Sequence, residues 1–219
     1  MEQTIVQDEG VNVLVFSDGP VRPDLGIALG TILLRAHNEA PWPGFRWLVR
    51  ASRSLDVRAF GYRMAKRAFD IALSGCVIAV GVIPCAVLSV AIAADTKGSP
   101  IYAQTRVGKC GKPFSIFKFR TMVADADNVE KYLNSEQLRQ WQTEHRVDDD
   151  PRITPLGRVL RTTSIDELPQ FLNVLLGQMS VIGPRPISYD ELTHFGKGAA
   201  LLCSVLGGIT GLWQASRWT

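Results

Sequence analysis

Two adjacent carboxylates, Asp166 and Glu167, stand in the stretch Thr163-Ser-Ile-Asp-Glu-Leu-Pro-Gln170 and speak most directly of chemistry. Acids at a helix entrance can supply a nucleophile, hold a divalent cation, or merely complement the helix dipole. Their surroundings favour chemistry: Arg106, Lys109, Lys112, Lys118, Arg120, Arg152, Arg158, Arg161 and Arg185 lie on either side, many beside Gly or Pro, as an anion-binding surface requires. Arg185 is fixed between Pro184 and Pro186, which suits a bidentate contact to phosphate or carboxylate as well as a rigid surface turn. Asp148-Asp-Asp-Pro-Arg152 reads either as a cation site or as a cap on the next element. His37, His145 and His194 are scattered, which suits structural roles. Cys76, Cys85, Cys110 and Cys203 lack metal-ligand spacing and read as reduced thiols.

The elements that must position these side chains are partly legible. Ser164 followed by Glu167 fits a capping box, and Leu168, Phe171, Leu172, Leu175 and Leu176 repeat at helical spacing until Gly177. Pro169 disfavours helical geometry at Leu168, so the regular helix is expected to begin at Pro169. Ser115 to Arg120 alternates like a short strand, able to present Lys118 and Arg120 with Arg106 nearby. Asp125 to His145 predicts one or two amphipathic helices.

At 219 residues, with net charge +3 and mean hydropathy near zero, the chain fits one ordinary domain with an appendage. A disordered polyanion and a polytopic membrane protein are both excluded. Charge is uneven: Arg106 to Arg120 holds five basic residues and no acid, whereas Asp125 to Asp150 holds eight acids and three Lys or Arg. Residues 1–60 carry four prolines and no sustained period, predicting a poorly structured extension with no secretory signal. Trp42, Phe45, Arg46 and Trp47, and Trp213 and Trp218 near the other end, are candidates for contact with a membrane surface.

Ile71 to Ala94 is a run of twenty-four residues without charge, closed by Asp95. A straight helix of that length extends roughly 36 Å, against a hydrocarbon core of about 30 Å. Arg63, Lys66 and Arg67 precede it and Lys97, Arg106, Lys109 and Lys112 come after it, so the positive-inside rule draws both ends to the cytoplasm. Pro84 removes a backbone donor near the middle, and Gly75 and Gly81 loosen the same helix. A re-entrant hairpin is the favoured expectation; a kinked spanning helix is the alternative.

Taken in order, Lys66-Arg-Ala-Phe-Asp70, the uncharged run broken at Pro84, Lys118-Phe-Arg-Thr-Met122, Asp150-Pro-Arg152, Leu160-Arg-Thr-Thr-Ser-Ile-Asp-Glu-Leu-Pro-Gln170, Asn173-Val-Leu-Leu-Gly-Gln-Met-Ser180, Ile182-Gly-Pro-Arg-Pro186 and Thr210-Gly-Leu-Trp-Gln214 resemble the bacterial sugar transferase family. These are the monotopic phosphoglycosyl transferases, and the exopolysaccharide-initiating branch is the most similar. The resemblance covers about Tyr62 to Ser216. It implies an α+β, mainly helical fold: the extension over 1–60, a re-entrant membrane helix with a basic flank over 61–95, and a small cytosolic catalytic domain with short strands over 96–219.

The implied reaction is transfer of a sugar 1-phosphate from a UDP-sugar to undecaprenyl phosphate at the cytoplasmic face of the bacterial inner membrane, with release of UMP. Asp166 is the implied nucleophile, Glu167 the residue that helps hold Mg²⁺, Pro84 the membrane bend and Arg185 a nucleotide neighbour. The residue types add Arg106, Lys118, Arg120, Arg152 and Arg161 as phosphate or nucleotide contacts, and Lys66 and Arg67 as lipid-phosphate contacts. The expected partners are donor, lipid acceptor and membrane lipid, with a homo-oligomer left open and no nucleic acid. Two departures stand out. Ile83 occupies the place of the family's serine before the proline, and the sequence stops at Thr219 where the family pattern continues for another helix length, implying a shortened catalytic domain. A different class also accounts for the charge pattern: a non-catalytic membrane adaptor whose basic segment binds anionic lipid and whose acidic helix recruits a protein.

Overall fold

A computed structural model describes residues 4–8, 11–15, 45–144, 147–196 and 198–212. The side chains of Trp42, Phe45, Arg46, Trp47, Trp213 and Trp218, expected at a membrane surface, lie outside that description. The first described elements are an antiparallel hairpin, β1 (Thr4–Asp8) with β2 (Val11–Val15), and helix α1 (Phe45–Leu55). α1 falls inside the span read as a loose extension, yet Leu48 is fully buried among Val107, Ile187, Leu192 and Cys203. Just beyond the helix, Asp56 accepts bonds from Arg58 Nε at 2.7 Å and Lys109 Nζ at 2.6 Å, which fastens this segment to the domain.

The uncharged run becomes the middle of α2 (Phe60–Thr96), a single helix of 37 residues with Pro84 inside it. One stripe at helical spacing is covered, from Asp70 and Ser74 through Cys85 and Leu88 to Ile92 and Thr96. The opposite face exposes Val80, Ile83, Val87 and Val90, each at least 68% accessible, which marks a helix unlike the core helix of a soluble domain. Where the sequence predicted two limbs meeting at Pro84, the structure has one continuous helix. Both of its ends nevertheless pack on the same small domain. Asp70 accepts from the Val181 N–H at 3.1 Å near one end, while Ile92 clusters with Phe119 and Leu160 near the other.

The predicted short strand is β4 (Pro113–Phe119), paired antiparallel with β3 (Ile101–Val107) so that Tyr102 opposes Lys118 and Arg106 opposes Phe114. Phe114 and Ile116 on one face meet Val174, Met179 and Val181 in the central core cluster. The amphipathic stretch forms two helices, α3 (Val129–Tyr132) and α4 (Ser135–Glu144).

α5 (Pro155–Thr163) starts with a proline at its first position and with the Thr154 side chain accepting from the Gly157 N–H at 2.9 Å. Gly157 is required here, because a Cβ would lie 2.0 Å from the Thr121 carbonyl oxygen. The remaining elements are α6 (Gln170–Leu175), β5 (Ser180–Ile182), α7 (Tyr189–Thr193), α8 (Gly198–Leu202) and β6 (Gly208–Thr210), with β6 parallel to β5.

The capping-box expectation at Ser164 is corrected. Ser164 has φ 57° and closes α5 in the left-handed conformation, and its side chain makes no cap on the turn at Ile165–Glu167. α6 begins at Gln170, one residue after the expected start at Pro169. Leu168 adopts helical geometry (φ −53°, ψ −38°) despite the proline that follows it, because it closes the turn at Ile165–Glu167.

Candidate active site

The acid pair lies in a one-turn 3₁₀ segment, Ile165–Glu167, wedged between the end of α5 and the start of α6. Left-handed Ser164 turns the chain sharply out of α5, and Leu168 then packs on the cluster of Ile92, Phe119 and Leu160. Leu168 is the residue next to Glu167, so its packing sets the dyad close to the covered face of α2. The site is therefore built where α2 meets the end of β4.

Lys118, one residue from the end of β4, donates to Glu167 Oε1 at 3.2 Å. Arg161 comes from the last turn of α5 and donates through Nε to Thr121 Oγ1 at 2.9 Å. Both cations act on Asp166. Burial pushes its carboxyl above the usual range and Lys118 pulls it down; Glu167 pushes it up again and Arg161 opposes that. Asp166 is thus half-buried, without an ion pair among the described residues, and held between a like charge and two opposite ones.

The structure distributes the other expected residues differently. Arg152 is 3% exposed and grips Asp150 through Nε and Nη2, at 2.8 and 2.6 Å, while Nη1 donates to the Ala126 carbonyl and the guanidinium lies 4.6 Å from the Trp141 ring centroid. Burial alone would raise the Asp150 carboxyl, but these bonds hold it below the ordinary range. The Asp148–Arg152 stretch is therefore a closed ion pair at its buried end. Arg120 donates to the Ser99 carbonyl at 2.7 Å and stacks on Tyr102.

Arg106 forms a second corner. It donates to Glu191 at 2.9 Å and to Gln104 at 2.7 Å. Burial lowers its pKa, Glu191 raises it and neighbouring Arg185 lowers it again, so two arginines and one carboxylate share this corner. It lies on the same β3–β4 face as Lys118, four residues along the strands, about 13 Å away.

Lys66 and Arg67 turn inward. Lys66 Nζ donates to Asp70 at 2.8 Å and closely to Ser180 Oγ, and Arg67 donates to the Val174 and Leu175 carbonyls at 2.6 and 2.9 Å. They tie α2 to β5 and to the C-terminal end of α6. Pro84 is exposed in the middle of α2.

Sequence reasoning missed three of the residues that hold these groups, Asp70, Thr121 and Glu191, and read Asp150 as part of a cation site or a cap, not as the partner of Arg152. The i,i+4 spacing of Lys66 and Asp70 and the Ser188-x-x-Glu191 pattern were readable signals for two of them.

Among the described residues no three His, Cys, Asp or Glu side chains gather into a metal cluster. Mg²⁺ needs fewer, since it binds through one or two carboxylates plus substrate phosphates and keeps several waters. Glu167 already faces a cation, the Nζ of Lys118, so the donor set fits.

An acid pair attended by Lys118 and Arg161 lies against an apolar helix long enough to span a bilayer, an arrangement suited to an enzyme that works at a membrane on anionic substrates. The chain belongs to the bacterial sugar transferase family, whose model matches residues 61–219. It is similar to the exopolysaccharide production protein ExoY of Rhizobium meliloti, with 40% identity over 70% of this chain and 69% of that protein. The undecaprenyl-phosphate galactose phosphotransferase of Salmonella typhimurium is 40% identical over 77% of this chain, but only 36% of its own length is matched. The UDP-glucose:undecaprenyl-phosphate glucose-1-phosphate transferase of Klebsiella pneumoniae is 38% identical over 70% of this chain and 31% of its own length. The chain is accordingly a phosphoglycosyl transferase of the exopolysaccharide-initiating branch.

Proposed function

We propose that this chain transfers a sugar 1-phosphate from a UDP-sugar to undecaprenyl phosphate through a covalent intermediate on Asp166. The observation that carries the reading is the placement of the dyad, faced by Lys118 and Arg161 on one side and joined through Leu168 to the cluster around Ile92 of the apolar helix on the other. Such a site is open to a soluble donor and to a lipid acceptor in turn. An Asp166 oxygen attacks the β-phosphorus, the bond between that phosphorus and the bridging oxygen breaks, and UMP departs with the electron pair. The lipid phosphate oxygen then attacks the same phosphorus, forming the diphosphate and returning Asp166 as a carboxylate. A shared pocket used twice is the usual advantage of covalent catalysis.

Lys118 and Arg161 lower the repulsion between the attacking carboxylate and the donor phosphates. Glu167 holds its carboxylate toward the same phosphates, where with the donor diphosphate it would bind Mg²⁺. Bound there, the ion would neutralise charge on the diphosphate. Arg106 and Arg185 are assigned to the nucleotide end of the donor, with Glu191 fixing Arg106 in place.

We further propose that α2 enters and leaves by the cytoplasmic face of the inner membrane. Support comes from the contacts of its two ends. Asp70 and Ile92 are separated by roughly 33 Å of helix, about the thickness of the hydrocarbon core, yet both touch one domain, at Val181 and at Phe119 with Leu160. Purified chain given a UDP-sugar should release UMP, and chelation of divalent cations should abolish it. Absence of UMP under conditions where the chain binds membrane and a protein partner would favour the adaptor reading instead.

A further inference from the structure

Leu48 to Arg67 contains six Arg or Lys and one acid, Asp56. Three of the six are committed inward: Arg58 to Asp56, Lys66 to Asp70 and Ser180, and Arg67 to the end of α6. Arg50, Arg53 and Arg63 are exposed, and none has an ion pair among the described residues. Arg50 and Arg53 stand three apart on the outer face of α1, opposite the side that buries Leu48 and Ser52. Between them and the uncharged run of α2, the linker exposes Val57 at 89% and the first turns of α2 expose Phe60 at 70%, Tyr62 at 55% and Met64 at 56%.

A soluble surface seldom gathers this much apolar area beside unpaired arginines. The combination is the signature of an interfacial segment, where aromatic and aliphatic side chains sit at headgroup level and arginines meet lipid phosphates. α1 precedes the segment matched by the family and shares no residue with the dyad or the Arg106 corner. Docking through Leu48 and the Asp56–Lys109 pair fixes its outer face rigidly relative to the domain.

We propose that the outer face of α1, with the linker and the first turns of α2, is a binding surface for anionic phospholipid headgroups. Its occupant is the lipid of the bilayer that α2 enters, selected by charge and by continuity with that helix. The surface orients the catalytic domain on anionic membranes, while α2 supplies the apolar anchor. This rests on α2 being the membrane element, and the test separates the two.

Full-length chain is mixed with vesicles of phosphatidylcholine alone, or of phosphatidylcholine with phosphatidylglycerol, and the floated fraction is measured. Wild type should bind both and prefer the anionic vesicles. A basic residue near an anionic surface is worth about fivefold in partition, so R50Q/R53Q should reduce the preference by roughly 25-fold while leaving phosphatidylcholine binding unchanged. R50K/R53K should keep the preference, and added salt should weaken it. Equal flotation of wild type with both vesicles, or an undiminished preference in R50Q/R53Q, would overturn the proposal. Loss of preference in R50K/R53K would also overturn it, because a guanidinium-specific partner such as a protein would then own this face. Failure of wild type to bind phosphatidylcholine at all would instead remove the anchor on which the proposal rests. UMP release by R50Q/R53Q in detergent should equal wild type, since neither arginine touches the dyad.

Discussion

Asp166 and Glu167 are neighbours that cannot do the same job, because successive residues of a 3₁₀ turn point about 120° apart. Glu167 lies toward Lys118, and Asp166 is half-buried without an ion pair among the described residues. Asp166→Asn should therefore reduce UMP release below detection even without lipid acceptor. Glu167→Gln should leave a rate about 10²- to 10³-fold lower that rises with Mg²⁺ concentration, the size expected for losing one electrostatic group. Burial raises the Asp166 carboxyl, and the nucleophile must be ionised, so activity should fall on the acid side at a higher pH than an ordinary carboxylate would dictate. Lys118→Met removes the largest influence that opposes burial, and a pH–rate profile should show the acid limb moving to still higher pH. Stability follows the same shift with a definite sign. A carboxyl raised in the folded state destabilises the fold as pH rises through its ordinary value, so Asp166→Asn should melt higher than wild type at neutral pH. The difference should vanish at pH values below the ordinary carboxylate range.

At the scale of elements, the site depends on how α5 and α2 are seated. Gly157→Ala would drive a Cβ into the Thr121 carbonyl, displacing α5 and with it Arg161, whose partner is the side chain of that same Thr121. Both stability and UMP release should drop. Asp70→Ala breaks a nearly buried ion pair and leaves Lys66 beside β5, at a cost of roughly 3 kcal/mol measurable as a lowered melting temperature. These elements also show what the sequence could and could not reveal. Strand β4 and the helix after Pro169 were legible, because alternation at Ser115–Phe119 and the helical spacing of Phe171, Leu172 and Leu175 are local properties. The pre-proline restriction, by contrast, did not hold at Leu168, which is helical. Ser164 misled, because a Ser-x-x-Glu pattern does not distinguish a residue that opens one helix from one that closes another in the left-handed conformation. Arg152 looked like a substrate contact because its charge is visible in sequence, whereas its burial against Asp150 and Trp141 is a tertiary fact. The dyad was legible in type, but its placement against Ile92 through Leu168 required the packed structure.

On the scale of the whole molecule, one small domain holds both ends of a helix long enough to cross a bilayer, and the acid pair sits beside that junction. The proposed topology keeps both ends on the cytoplasmic face, so labels placed near Arg63 and near Lys109 should react from the same side of sealed vesicles. Pro84→Leu restores the missing backbone donor to Val80 and should shift some molecules to labelling from opposite sides. The chemistry that this arrangement is proposed to serve has two half-reactions, and the first needs no lipid. The most direct measurement is therefore mass spectrometry of protein trapped after incubation with UDP-sugar and Mg²⁺ alone. The expected result is a sugar phosphate on the peptide containing Asp166, localised to Asp166, with UMP formed in equal amount. A sugar phosphate on Glu167, or UMP formed only when undecaprenyl phosphate is present and with no adduct on the protein, would contradict the assignment of Asp166 as nucleophile.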